Sequence, residues 1–226
     1  MATVAVAANF KTTLDLLEAD FEATSSYELE TVVGSTGKLY AQIVHGAPYD
    51  IFLAADQARP SQLVKDGAAQ QNFQITYALG RVLVWRAKGP DFAADALFGM
   101  DVRRIAMANP ELAPYGQAAQ QILRAIDPAS ALAPKLVLGE SVGQTFAFVA
   151  TGNAQFGFVS EAQILTLPAD RRGGVWRPPG AQYAPIAQDA VLLARAEDNA
   201  AAQAFFAYLS RPAARRIIAA QGYDLP

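Results

Sequence analysis

The sequence predicts an α/β fold in which strands alternate with helices. Three observations lead to this prediction. Short apolar runs alternate along the chain with longer amphipathic stretches. Glycine, proline and asparagine stand between them as turn residues. The 226-residue chain is also 52% hydrophobic without any cysteine, so each core must form without disulfides. Strands that alternate with helices imply sheets rich in parallel pairs.

The first half of the chain contains two strand–helix units. Residues 3–7 are predicted to form a buried strand, and Asn9 is the expected N-cap of the helix that follows. Residues 29–33 are rich in β-branched side chains, predict a strand and precede a helix that ends near Gly46. Two further strand-forming runs follow, at residues 50–54 and 74–85.

The same alternation continues in the second half of the chain. Strands are predicted at residues 103–108, 135–138 and 156–159, and helices at residues 113–126 and 141–149. The Pro/Gly-rich residues 173–185 are interpreted as a long connection, followed by an apolar run at residues 190–194 and two helices within residues 200–220.

The charge pattern excludes several function classes. The chain has 18 Lys+Arg and 21 Asp+Glu, a net charge of -3, and only paired arginines as basic runs. Such a pattern favours neither nucleic acid nor anionic lipid as a partner. The sequence opens directly on an apolar run, so we expect either a cytoplasmic protein or one whose signal peptide has been removed.

Residues 139–143 match the G-x-S-x-G nucleophile elbow between a strand and a helix. A serine hydrolase needs a histidine base after the serine, but the only histidine is His45. We therefore favour Ser141 as a helix N-cap and His45 as a surface residue at a helix end. One histidine and no cysteine make no metal site, and Lys38 is not followed by the Ser or Thr of a phosphate loop.

Four strand ends lead into helix starts through small, hydroxyl or amide residues. A helix N-terminus carries about +0.5 of a charge, so four that converge would present about +2 to an anion. Taken one at a time, each start is simply an N-cap. Only if the four ends converge do they together predict a site for a dianionic oxyanion. These starts lie at residues 8–9, 35–36, 114–116 and 141–142.

Several runs spread over the whole chain match one known family. They are residues 7–10 (AANF), 34–43 (GSTGKLYAQI), 46–56 (GAPYDIFLAAD), 109–116, 140–144 (ESVGQ), 206–214 and 222–223. In this combination the chain resembles the periplasmic molybdate-binding proteins of bacterial ABC importers.

The resemblance implies a two-lobed periplasmic-binding-protein-like fold, each lobe a mixed, mostly parallel sheet flanked by helices. Lobe one would comprise residues 1–79 and 187–226, and lobe two residues 80–186, with two interlobe crossovers. The ligand would be molybdate or tungstate in the interlobe cleft. No cofactor, enzyme activity or metal is implied. The partner would be the membrane permease of the importer, and the protein a periplasmic monomer. The implied ligand-binding residues are Asn9, Ser35, Thr36, Tyr115 and Val142.

Two positions depart from the family pattern. Some relatives have a hydroxyl residue where this chain has Ala8, and others a tyrosine near Ser160. These departures leave open sulfate or another small oxyanion as the ligand, and a hydrolase using Ser141 remains a further alternative. We expect Glu140 and Glu161 to point away from the site, because a carboxylate would repel the anion.

Overall fold

The computed structural model describes every residue from Met1 to Pro226, and the chain forms two compact units. Unit 1 comprises Met1–Gly80 and Ala187–Pro226, and unit 2 comprises Arg81–Ile186. The chain therefore leaves unit 1 after Gly80 and returns to it after Ile186. Each unit contains its own five-stranded sheet.

The strands that the sequence predicts are all present. The long run at residues 74–85 is divided at Arg81 into two strands, which belong to different units. In chain order the strands are β1 (Ala2–Ala7), β2 (Leu29–Gly34), β3 (Ile51–Leu53), β4 (Ala69–Gly80), β5 (Val82–Arg86), β6 (Ile105–Ala108), β7 (Leu136–Gly139), β8 (Phe156–Ser160), β9 (Gly174–Trp176) and β10 (Ile186–Leu193).

Eight α-helices accompany the sheets, and none combines the length and the apolar character needed to cross a bilayer. Helices α3 and α6 and strand β9 are absent from the predictions, and β9 lies within the stretch predicted as a connection. The helices are α1 (Lys11–Thr24), α2 (Thr36–Val44), α3 (Ala58–Lys65), α4 (Pro114–Ile126), α5 (Val142–Ala150), α6 (Glu161–Leu165), α7 (Ala200–Tyr208) and α8 (Pro212–Ala220).

Both sheets are mixed. The sheet of unit 1 has the order β2-β1-β3-β10-β4, in which β1 pairs in parallel with β2 and β3 while β10 runs antiparallel to β3. The sheet of unit 2 has the order β7-β6-β8-β5-β9. There β6 is parallel to β7 and β8, and β5 is antiparallel to β8 and β9. Helices α1, α2, α4 and α5 each follow a strand that pairs in parallel with its neighbour, which explains the alternation in the sequence.

Each unit has its own hydrophobic core. In unit 1 the fully buried Phe52 and Val191 of the sheet pack with Leu39 of α2 and Leu63 of α3. In unit 2 the buried Trp85 stacks on Phe146 of α5, with 4.9 Å between the ring centroids. Burial of this apolar surface provides the main stabilisation of both units.

Tyr208 joins α7 to α1 within unit 1. Its hydroxyl donates a 2.7 Å hydrogen bond to Oδ2 of Asp20, and its ring stacks on Phe205. Burial, and then the hydrogen bond and charge of Asp20, raise the pKa of the Tyr208 hydroxyl well above its usual value. This pair therefore stabilises the fold only while the tyrosine keeps its proton.

We expect Tyr208→Phe to lower the free energy of unfolding by about 1 kcal/mol near neutral pH, because the bond to Asp20 is lost. In the unfolded chain the tyrosine pKa is about 10, and in the folded protein it is higher. The stabilisation from this difference is fully present below pH about 10 and is lost as the pH rises toward the folded pKa. Urea unfolding from neutral pH to about pH 11 should show the wild type losing stability faster than the variant. Equal alkaline losses would contradict this role of Tyr208.

Candidate anion-binding site

In each unit, two helices follow the carboxyl ends of two adjacent parallel strands. At the ends of β1 and β2, Ala7 lies opposite Gly34, and the Ala8 N–H donates to the Gly34 carbonyl at 2.9 Å. At the ends of β6 and β7, Ala108 lies opposite Gly139. There the Asn109 N–H donates to the Gly139 carbonyl at 2.7 Å. The two units thus build the same local frame for a pair of helix starts.

The start of α2 carries two buried hydroxyl groups. Ser35 is the N-cap, and its Oγ accepts a long 3.4 Å hydrogen bond from the Lys38 N–H. Oγ1 of Thr36 accepts from the Ala55 N–H at 3.0 Å, which ties α2 to the end of β3. Neither hydroxyl donates a hydrogen bond within the protein. Both protons can therefore be given to a bound oxygen atom.

Main-chain N–H groups without a partner lie at the same ends of β1 and β2 as these hydroxyls. The N–H groups of four residues at the carboxyl ends of β1 and β2 have no acceptor in the protein. The first turn of a helix leaves such groups without an internal partner, and its dipole favours a negative charge there. The four residues are Asn9, Ser35, Thr36 and Gly37.

The prediction that Asn9 caps a helix is wrong. Phe10 occupies the N-cap position of α1, which has no side-chain cap. The side chain of Asn9 is buried and bonds to other side chains instead. Its Nδ2 donates to Oε1 of Gln188 at 2.8 Å and to the Tyr223 hydroxyl at 3.1 Å. Both amide protons of Asn9 are thereby used, so the donor that remains on this residue is its main-chain N–H.

In unit 2 the start of α5 repeats the arrangement at α2. Ser141 is the N-cap, as predicted, and its Oγ accepts from the Gln144 N–H at 3.2 Å. The main-chain N–H groups of Ser141, Val142 and Gly143 have no acceptor in the protein. Val142 is buried, so its N–H lies away from bulk water. These amides are suited to the oxygen atoms of an anion.

The start of α4 is held by a turn and by a glycine. Oδ1 of Asn109 accepts from the Glu111 N–H at 2.9 Å, which shapes the turn after β6. Pro114 is the first residue of α4 and Tyr115 the second, a position for which the helix itself supplies no carbonyl. A Cβ on Gly116 would lie 2.3 Å from the Ala108 carbonyl oxygen. Only glycine permits this close approach of α4 to β6.

Ala8 adds no donor to these helix starts, and Ser160 caps a different helix, α6. Ala8 has no polar side chain, and its N–H is already used in unit 1. Ser160 is fully buried and forms a capping box with Gln163 of α6. The carboxylate of Glu161 faces two arginines of unit 2, with Nε of Arg177 at 3.3 Å. In each unit the pair of helix starts presents about +1 of partial charge.

A scan against protein-family models matches residues 2–224 to the bacterial extracellular solute-binding proteins. The chain belongs to this family. The match covers both units, including every helix start described above. Family members bind solutes, which agrees with helix starts that offer hydrogen-bond donors and no catalytic group.

Two curated relatives of this solute-binding protein are similar over nearly its whole length. The molybdate-binding protein ModA of Azotobacter vinelandii is 42% identical, with 98% of this chain and 89% of the relative covered. The molybdate-binding protein ModA of Rhodobacter capsulatus is 38% identical, with 97% and 86% covered. The resemblance predicted from the sequence is therefore confirmed.

Solved structures confirm the fold of this solute-binding protein. The periplasmic molybdate-binding protein of Azotobacter vinelandii matches with a TM-score of 0.95 and 37% identity, and both chains are fully covered. The sulfate-binding protein SubI of Mycobacterium tuberculosis matches with a TM-score of 0.82 at 17% identity, covering 99% of this chain and 86% of the other. At that identity the second match supports the fold alone.

The hydrolase alternative gains no support at Ser141 of this solute-binding protein. The partner of its Oγ is the main-chain N–H of Gln144, so the hydroxyl serves as a cap. His45 is at the C-terminal end of α2, in the other unit, and is exposed, as predicted. The acidic side chains and His45 form no group that could hold a metal ion.

Proposed function

We propose that this solute-binding protein binds molybdate, and tungstate equally, and delivers the anion to the membrane permease of an ABC importer. It acts in the periplasm as a monomer. The main support is the set of N–H and O–H groups at the helix starts that donate no hydrogen bond within the protein. The 42% identity to a molybdate-binding protein supports the choice of anion. The proposed ligand-binding residues are Asn9, Ser35, Thr36, Tyr115 and Val142.

The chemistry of these groups selects the charge state of the ligand. Asn9, Tyr115 and Val142 contribute main-chain N–H groups, whereas Ser35 and Thr36 add hydroxyl protons. A site made of donors alone suits a fully ionised dianion, because a protonated oxyanion would bury an O–H without an acceptor. Phosphate is therefore disfavoured by its proton. Sulfate is a smaller dianion, so the size of the site must exclude it.

The proposal is tested by isothermal titration of the anion-stripped protein with molybdate, tungstate, sulfate and phosphate near neutral pH. We expect tight binding of molybdate and tungstate, with a stoichiometry of one, and weak binding of the other two. Sulfate binding as tight as that of molybdate would show a change of ligand. No heat with any of the four anions would contradict an oxyanion site.

Thr36→Ala is expected to raise the Kd for molybdate about 10- to 150-fold, because a hydrogen bond to a charged group contributes about 1.5 to 3 kcal/mol. The variant also leaves the Ala55 N–H without its acceptor, so its melting temperature should fall. Thr36→Ser keeps the hydroxyl and should bind nearly as the wild type does.

Thr12→Ala provides the matched control for Thr36. Thr12 lies in the first turn of α1 in the same unit, but its side chain is exposed. Its replacement should leave the Kd unchanged in the same titration. Wild-type affinity in Thr36→Ala would remove Thr36 from the site.

A further inference from the structure

A buried polar network lies behind Asn9 in unit 1. Asn9 donates through Nδ2 to Gln188 and to Tyr223, and the Tyr223 hydroxyl donates back to the Asn9 carbonyl oxygen at 2.8 Å. The Tyr77 hydroxyl lies 3.0 Å from the Ala54 carbonyl oxygen and 3.2 Å from Oε1 of Gln188. Three hydrogen bonds therefore fix both the side chain and the carbonyl group of Asn9.

The network is located where the chain passes between the two units. Gln188 directly follows Ala187, where unit 1 resumes, and Tyr77 lies three residues before Gly80, where the chain leaves unit 1. The neighbouring Leu79 forms an antiparallel bridge with Asp224, which follows Tyr223. The C-terminal segment is thus tied both to the exit strand and to Asn9.

Stability alone does not account for this network. Nε2 of Gln188 is buried and has no hydrogen-bond partner, and Gln188 is fully inaccessible to solvent. A buried donor without an acceptor destabilises a fold, and apolar side chains in place of both Gln188 and Asn9 would avoid that loss. The Gln188 carboxamide does supply one useful group, Oε1, which accepts the hydrogen bond from Asn9 Nδ2.

We propose that Gln188 and Tyr223 are positioning residues of the anion site, holding Asn9 so that its main-chain N–H faces the anion. This inference rests on the proposed function. It assigns the side chain of Asn9 a structural role and places the C-terminal segment among the determinants of affinity. Small displacements of a fixed donor weaken its interactions strongly, so the network acts on the Kd.

The test compares two tyrosine variants of the whole protein. Tyr223→Phe removes both hydroxyl bonds to Asn9 but keeps the ring packed on Phe10, whose centroid lies 5.2 Å away. Tyr208→Phe is the matched control, because Tyr208 is a buried tyrosine of the same unit whose hydroxyl bonds to Asp20. We expect Tyr223→Phe to raise the Kd for molybdate about tenfold and Tyr208→Phe to leave it unchanged.

A glutamine pair separates positioning from stability. Gln188→Met removes both Oε1, the acceptor of Asn9 Nδ2, and the unpaired Nε2. Asn9 Nδ2 then loses one partner just as the unpaired donor of Gln188 disappears. The melting temperature should therefore stay close to that of the wild type. Its Kd should nevertheless rise about tenfold. Gln42→Met is the control, since Oε1 of Gln42 accepts from the Tyr49 hydroxyl on the exposed side of α2.

The outcomes distinguish this inference from the proposed function. A wild type that binds none of the anions contradicts the proposed function itself. A wild type that binds molybdate, with unchanged Kd values in Tyr223→Phe and Gln188→Met, overturns the positioning role. Lower melting temperatures without a change in Kd would identify the network as structural only. Raised Kd values in both variants, with unchanged controls, support the inference.

Discussion

Replacing Gly116 by alanine is expected to raise the Kd for molybdate about 100-fold and to destabilise unit 2. The new Cβ would lie 2.3 Å from the Ala108 carbonyl oxygen and 2.8 Å from the Asn109 carbonyl carbon. Both atoms belong to the main chain, which cannot rotate aside as a side chain can. The first turn of α4 must therefore move, and with it the N–H of Tyr115. A displacement of about 1 Å takes an N–H donor out of hydrogen-bond distance of a bound oxygen atom.

Gly180→Ala is the control for this substitution. Gly180 lies in the same unit, and a Cβ there would meet no atom within 4 Å. Alanine is favoured over glycine in a helix by about 1 kcal/mol, so Gly116→Ala would be stabilising if the close contact did not matter. Thermal unfolding and titration of both variants decide between these results. A stabilised Gly116→Ala variant with wild-type affinity would contradict the packing argument.

Features that depend on neighbouring residues were predictable from the sequence. Ser35 and Ser141 each follow a strand and precede an apolar helix, and both are N-caps in the structure. Their Oγ atoms accept from amides three residues away. An N-cap is predictable because its hydrogen bond joins residues close in sequence and favours a few residue types such as serine.

Features that depend on distant residues were not predictable in this way. The amide of Asn9 suggests an N-cap, but its partners Gln188 and Tyr223 lie 179 and 214 residues away in the chain. Tertiary hydrogen bonds here override the local preference of asparagine for a cap. Pairing of two such distant groups has no local signature in a single sequence.

The missed elements have similar physical causes. Helix α3 has only 8 residues, contains Pro60 and buries only that residue and Leu63, so it offers too few apolar positions to be predicted. Strand β9 lies in a Pro/Gly-rich stretch, where Gly174 allows close contact with the Pro90 carbonyl oxygen. The division of residues 74–85 into two strands at Arg81 was not predicted either, because strand-forming residues continue on both sides of Arg81. Tertiary packing determines all three.

Val142→Pro is expected to raise the Kd for molybdate about 10- to 150-fold while α5 remains folded. Val142 is the first residue of α5, where proline is well tolerated because the N–H has no helical acceptor. The preceding Ser141 has φ -149° and ψ 165°, an extended conformation that also suits a residue before proline. The substitution thus deletes one N–H, which contributes about 1.5 to 3 kcal/mol when its partner is charged.

Ala200→Pro tests the same change where no anion is proposed. Ala200 is the exposed first residue of α7, and the Asn199 side chain caps that helix as Ser141 caps α5. Circular dichroism should show wild-type helix content for both variants, and titration should show weaker binding for Val142→Pro alone. Equal affinities would remove the Val142 N–H from the site. Weaker binding confined to Val142→Pro would assign a main-chain atom to the anion, a role that side-chain truncation cannot test.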